Sequence, residues 1–186
     1  SYCKKPNDFR TIKPPYGKCE SVLIHSLIRD KDNIKRPTDK ICFLLGKEKY
    51  GKYQGLFNLF GGHFESEGDK KDLNERGLPD LHLTVKRELS EEFSEKILEW
   101  INWCGSPWAF NQTYIEFAWI HYKFDINLSF RENDEMSEAQ WFPIDNIFKA
   151  VKSGGNKSYL VEDIDGNIRD VSLYAHGVVT AAKVNE

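Results

Sequence analysis

Cysteine is scarce: Cys3, Cys19, Cys42 and Cys104 form no Cys-x-x-Cys pair and no zinc spacing. That excludes a disulfide-framework scaffold and a zinc finger, and isolated reduced thiols in a cytoplasmic protein are the expectation. No apolar run approaches about 18 residues, so no transmembrane helix and no membrane partner are expected. A signal-peptide pattern is missing as well. Charge of one sign is also lacking. The net charge of −3 and pI near 6.0 give no global pull toward nucleic acid or an anionic membrane. There is no internal repeat, no low-complexity stretch and no second domain boundary, so residues 1–186 read as one domain. The chain starts at Ser1, which leaves open a processed or excised piece of a longer protein.

What is present argues for a globular fold. Hydrophobic residues make up 40% and aromatics 13% of the 186 residues, enough to fill a core. The most informative stretch is Arg87-Glu88-Leu89-Ser90-Glu91-Glu92-Phe93. At about 100° per residue of helix, Glu88, Glu91 and Glu92 fall within roughly a 100° arc. Glu95 and Glu99 extend the stripe, while Val85, Leu89, Phe93 and Trp100 lie on the adjoining face. Like charges at these spacings destabilise an isolated helix by about 0.2–0.5 kcal/mol per pair. Only Lys96 and Arg87 stand near enough to relieve that. Hard divalent cations take oxygen ligands, so a cation site is one reading and an acidic solvated face the other.

Upstream, Phe57-Asn58-Leu59-Phe60 reads as a short strand ended by Gly61-Gly62, where backbone can approach a ligand closely. Strand, glycine turn and acidic helix together resemble the signature of the Nudix hydrolase family. That signature runs Gly, five residues, Glu, seven residues, then Arg-Glu-(apolar)-x-Glu-Glu-x-Gly-(apolar). Gly62 matches the opening Gly, and Arg87-Glu88-Leu89-Ser90-Glu91-Glu92 matches the later core without a gap. The diverged box covers 61–94. Eleven extra residues lie between Gly62 and Arg87, near Asp69 to Leu81, where Gly77 and Pro79 predict a loop. The position of the first Glu falls on Gly68, leaving Glu65, Glu67 and Asp69 as substitutes. Ser94 replaces the late Gly, so the helix is expected to run on toward Trp100.

The resemblance implies an α/β fold, a central mixed sheet sandwiched between helices. It also implies hydrolysis of the pyrophosphate linkage in a nucleoside diphosphate joined to another group, such as ADP-ribose or a dinucleotide polyphosphate. Mg²⁺ or Mn²⁺ is the implied cofactor. Glu88, Glu91 and Glu92 would hold it, with help from a Gly61 or Gly62 carbonyl, and Arg87 would orient them by a salt bridge to a loop carboxylate. The general base is either Glu88 or a carboxylate of the Glu135–Glu138 run, where Glu135 and Glu138 are the catalytic candidates. Two alternatives remain: a messenger-RNA decapping hydrolase acting on capped RNA, and a nucleotide-binding sensor without turnover. The signature settles neither the substrate nor the oligomeric state.

Elsewhere, Ser1 to Lys18 read as an irregular arm, and Ser21–Ile28 and Ile41–Leu45 as strands. Asp30 to Lys40 reads as a charged loop. Gly46 to Gly55 is a basic, aromatic loop whose Lys47, Lys52 and Tyr53 are candidates for holding phosphate or a base. Asn102 to Phe110 is expected to be a loop that presents Trp103 and Trp108 for stacking. Thr113–Phe124 reads as a long strand, with Asn127 to Asn133 a loose hairpin. Ala139–Phe142 is a strand, Pro143 opens a helix through Val151, Asp165-Gly166 turns a hairpin, and Ser172 caps a final helix holding His176.

Overall fold

The computed structural model describes residues 6–29, 35–69, 71–120, 130 and 135–184. Its frame is one mixed, open sheet. Strand β2 (Lys18–Arg29) lies at the centre, antiparallel to β3 (Lys35–Glu48) and parallel to β7 (Thr113–Ile120). Beyond β7 come β6 (Ile101–Phe110) and the edge strand β1 (Asn7–Asp8). Beyond β3 come β4 (Phe57–Asn58), β11 (Ile168–Ser172), β10 (Ser158–Glu162) and β9 (Val151–Lys152). Two strands branch off this path: β5 (Phe60–His63) pairs with β2, and β8 (Met136–Pro143) with β3.

Alternation along the central strands divides the core in two. Leu23, Cys42, Leu44, Tyr114 and Ala118 face one side, where helix α1 (Leu81–Glu92) buries Val85 and Leu89 against Phe60 and Trp141. Val22, Ile24, Phe43, Leu45 and Ile115 face the other. There α2 (Ile144–Phe148) sets Ile147, and α3 (Leu173–Val184) sets Ala175, Val178 and Val179, into the second core. Helices therefore cover both faces of a mixed sheet, the expected α/β/α arrangement. Among the described residues no helix is long and apolar enough to cross a membrane.

Several elements differ from the sequence expectation, each for a tertiary reason. The 102–110 segment is a strand, not a loop: β6 pairs with β7 along its length, and its turn signals collapse into a bulge between Cys104 and Trp108 where Gly105 has φ 70°. Part of the 30–40 loop is strand, because residues 35–37 pair with 27–29 across a register shift. Helix α1 stops at Glu92. Ser94 is extended (φ 172°) and a 3₁₀ turn over Glu95–Trp100 follows, so Glu95 and Glu99 leave the helical stripe. The helix after Pro143 ends at Phe148, and Val151–Lys152 join the sheet edge. The Asp165-Gly166 hairpin and the Ser172 cap (Oγ accepting from Ala175 N, 2.9 Å) form as expected. His176 packs, its ring stacked on Tyr159 at 3.5 Å. The arm is tied down by β1 and by buried Ile12. Residues 121–124 and, apart from Phe130, the 127–133 hairpin lie outside the described residues.

Gly46 on β3 makes room for its neighbours: a Cβ there would collide with Met136 Sδ and lie 2.8 Å from the Phe60 ring. Gly46→Ala is expected to destabilise the fold by about 1–3 kcal/mol through overpacking, read as a fall in the urea midpoint at unchanged slope.

Candidate functional site

Helix α1 begins where Asp80 caps it, Oδ1 accepting from His82 N at 3.1 Å. Its apolar face packs down through Val85 and Leu89. That fixes its rotation, and Arg87, Glu88, Glu91 and Glu92 fall along the edge facing β5. One ligand oxygen each from Glu88, Glu92 and Glu135 lies within 4.8 Å of the others. Glu88 and Glu92 are buried, whereas Glu135, at the entry to β8, is exposed.

A single guanidinium organises the surroundings. Arg87 donates from Nε to Asp72 Oδ1 (3.0 Å) and from Nη2 to Asp72 Oδ2 (2.9 Å), a two-pronged pair. Nη1 reaches Glu88 Oε1 at 2.9 Å and Glu91 Oε1 at 3.4 Å, and Nη2 also bonds the His63 carbonyl at 3.0 Å. Asp72 Oδ2 further accepts from Glu65 N (2.9 Å) and Thr84 Oγ1 (3.0 Å). Burial disfavours the charged form of Asp72, but Arg87, the Glu65 amide and Thr84 outweigh it and hold the carboxyl below the usual aspartate range. Burial pushes Glu88 the other way, upward; Arg87 pulls it back, and Glu91 and Glu135 add to the rise. Three converging carboxylates, all hard oxygen donors, suit Mg²⁺ or Mn²⁺.

Gly61 and Gly62 do not end a strand. They lie inside β5, paired with Glu20 and Cys19 of β2. A Cβ on Gly62 would collide with the Glu88 carboxylate, and one on Gly61 with Glu20 and the Cys19 carbonyl. The glycines are needed because side chains press on both faces of this strand, and the face toward Glu88 is the cradle of the carboxylate trio.

The loop carboxylate expected for Arg87 is Asp72, which is none of Glu65, Glu67 and Asp69, the sequence candidates for the signature's first Glu. It stands four positions later than the signature's first Glu counted from Gly62, and seven earlier counted back from Arg87. The insertion is thus split around it, and counting from either end misses it. Its loop is closed by a Leu73–Pro79 bridge, and Asp80 N donates to the Asp72 carbonyl at 2.9 Å.

The remaining sequence candidates are dispersed. Glu91 sits at the rim, its side chain 41% exposed, outside the trio. Glu138 shares the sheet face of Gln140 and Phe142, away from α1, and pairs with Arg169 (3.1 Å) and Lys47 (4.0 Å). Lys52 and Lys18 place ammonium groups 5.4 and 5.6 Å from the Tyr53 ring centre. Trp108 packs edge-on against Phe117 at 4.5 Å, and Trp103 against His82 at 4.8 Å, both on β6 and neither in the trio.

Asp72 gives a pH-dependent prediction. Its folded value lies below its unfolded one, so its contribution is complete above the unfolded value and lost as pH falls through the folded one. Asp72→Ala removes the two-pronged partner and leaves Arg87 with Glu88, Glu91 and the His63 carbonyl, and is expected to cost about 1–3 kcal/mol near neutrality. In urea titrations the gap to wild type should narrow as pH falls below the ordinary aspartate value; a pH-independent gap would refute the assignment.

No protein-family model matches the sequence, and no curated protein matches it. Solved structures do. The NUDIX domain of Shewanella oneidensis NrtR complexed with ADP ribose aligns at TM-score 0.50 and 13% identity, over 95% of this chain and 91% of that one. A MutT/nudix family protein from Enterococcus faecalis gives a TM-score of 0.46 at 15% identity, over 93% of this chain and 62% of that one. This chain therefore spans less than two thirds of the Enterococcus protein. The first likeness, with the mixed sheet between helices, identifies a Nudix-type fold.

Proposed function

We propose that this chain is a single Nudix-type domain that hydrolyses the pyrophosphate linkage of a nucleoside diphosphate joined to another group, using Mg²⁺ or Mn²⁺. The observation that carries the reading is the trio Glu88, Glu92 and Glu135, whose ligand oxygens converge within 4.8 Å beside a glycine strand shaped around Glu88. These three residues would hold the cation. When bound, it would offset phosphate charge and acidify a water.

The chain's own residues do the rest. Arg87 fixes the Glu88 carboxylate, so the ligand geometry is set before any cation arrives. Gly62 lets backbone lie against that carboxylate. The raised Glu88 and the exposed Glu135 are the candidate bases for the attacking water. Glu138 is not used, since it answers to Arg169 and Lys47. Lys52 and Tyr53, with the ammonium 5.4 Å from the ring centre, stay the candidates for meeting the substrate's distal part. Cys19, Cys42 and Cys104 form no disulfide among the described residues, which suits a reducing, cytoplasmic setting.

A second reading, nucleotide binding without turnover, is favoured by one observation: the Shewanella NUDIX domain of the same fold is a complex with ADP ribose. Both readings meet one experiment. Wild type and Glu92→Gln are incubated with ADP-ribose, dinucleotide polyphosphates, NADH, inositol pyrophosphates and capped RNA, with and without Mg²⁺ or Mn²⁺, and released products are measured. The hydrolase reading expects metal-dependent cleavage of a small nucleotide substrate, reduced at least ~100-fold in Glu92→Gln. Cleavage of capped RNA alone would move the substrate class to decapping. Binding with no turnover of any substrate would hand the site to the second reading.

A further inference from the structure

Glu20 stands out among the buried carboxylates. It lies on β2, directly paired with Gly61, and is fully buried. Neither of its oxygens accepts a well-directed hydrogen bond among the described residues. Its one ion-pair partner there is Lys18, Nζ to Oε1 at 3.0 Å, with the lysine side chain 32% exposed. Burial raises Glu20 to about 7, Lys18 pulls it back, and the charges of Glu48 and Glu88 add to the rise. A buried carboxylate so poorly satisfied is costly, which asks for a reason beyond packing.

The location supplies one. The glycine strand is a two-sided partition. A Cβ on Gly62 would strike Glu88, and one on Gly61 would strike Glu20. One strand's thickness of backbone, with no side chain on either glycine, separates the carboxylate trio from Glu20. Glu20 and Glu88 feel each other electrostatically across it. A cation held by the trio would feel Glu20 and Lys18 through the same thin partition.

We propose that Glu20 is a positioning residue of the metal centre, acting through Gly61: it backs the glycine strand and cancels the Lys18 charge that would otherwise face the cation. The inference rests on the metal reading of the trio. Without Glu20, a lysine ammonium stands behind the strand with Glu48 as its remaining carboxylate neighbour, and cation binding is penalised. With both Lys18 and Glu20 neutral, the penalty disappears.

The test is Mn²⁺ affinity of the isolated protein, by calorimetry or electron paramagnetic resonance, for wild type, Glu92→Gln, Glu20→Gln, Lys18→Met and the Glu20→Gln/Lys18→Met double variant. Metal-free thermal melts report folding. Glu20→Gln is expected to weaken Mn²⁺ binding about three- to tenfold, a modest charge effect at intermediate dielectric. The double variant should recover most of that loss, which a packing defect would not allow. Lys18→Met, at a half-exposed position, should bind Mn²⁺ at least as tightly as wild type, and it carries the test if Glu20→Gln does not fold. Unchanged affinity in Glu20→Gln, a loss the second substitution does not restore, or weaker binding in Lys18→Met would each overturn the role of Glu20. Those outcomes leave the metal centre standing if Glu92→Gln abolishes binding. No Mn²⁺ uptake by wild type would overturn the metal reading, and this inference with it.

Discussion

The guanidinium of Arg87 is the contact on which the rest of the site depends. It joins three parts of the chain that share no secondary structure: helix α1 through Glu88, the strand end through the His63 carbonyl, and the 69–81 insertion through Asp72. Only a planar, multi-donor cation can serve all of these at once, and a lysine would lose the two-pronged grip on Asp72. Once Asp72 is held by Arg87, Thr84 and the Glu65 amide, the insertion becomes a fixed strut. The helix can then hold Glu88 and Glu92, both buried, beside Glu135 without splaying.

The second constraint is steric. Gly61 and Gly62 run between a carboxylate on each side, and each would collide with one if it carried a Cβ. A strand this thin lets the Glu88 carboxylate of α1 lie against one face of its backbone and Glu20 against the other. It also lets charge on one face be felt on the other. The cluster of Lys18, Glu20 and Tyr53 and the trio around Glu88 are thus neighbours electrostatically while lying on opposite faces of the sheet.

How much of this the sequence revealed follows from how local each feature is. Glu88 and Glu92 were readable because helical spacing alone puts them on one face, and Leu89 and Val85 fix which way that face turns. The α/β/α frame followed from apolar strands, the Asp165-Gly166 turn and the resemblance of the box. Asp72 was hidden because an insertion on both sides of it defeats counting, and only the folded loop brings it to Arg87. Glu20 was hidden because it stands one residue before the strand read from Ser21, and only the folded β2 pairs it with Gly61. The glycine pair was legible as a close approach, yet its role as strand rather than turn depends on pairing with Cys19 and Glu20. β6 was misread because Gly105 and Pro107, ordinary loop signals, here make a bulge within a paired strand.

The most direct test of the account is the position of a bound cation. Crystals equilibrated with Mn²⁺ and measured at the manganese absorption edge should show anomalous density between Glu88, Glu92 and Glu135, with Asp72 still on Arg87. Density beside Glu65, Glu67 or Asp69, with the trio empty, would contradict it.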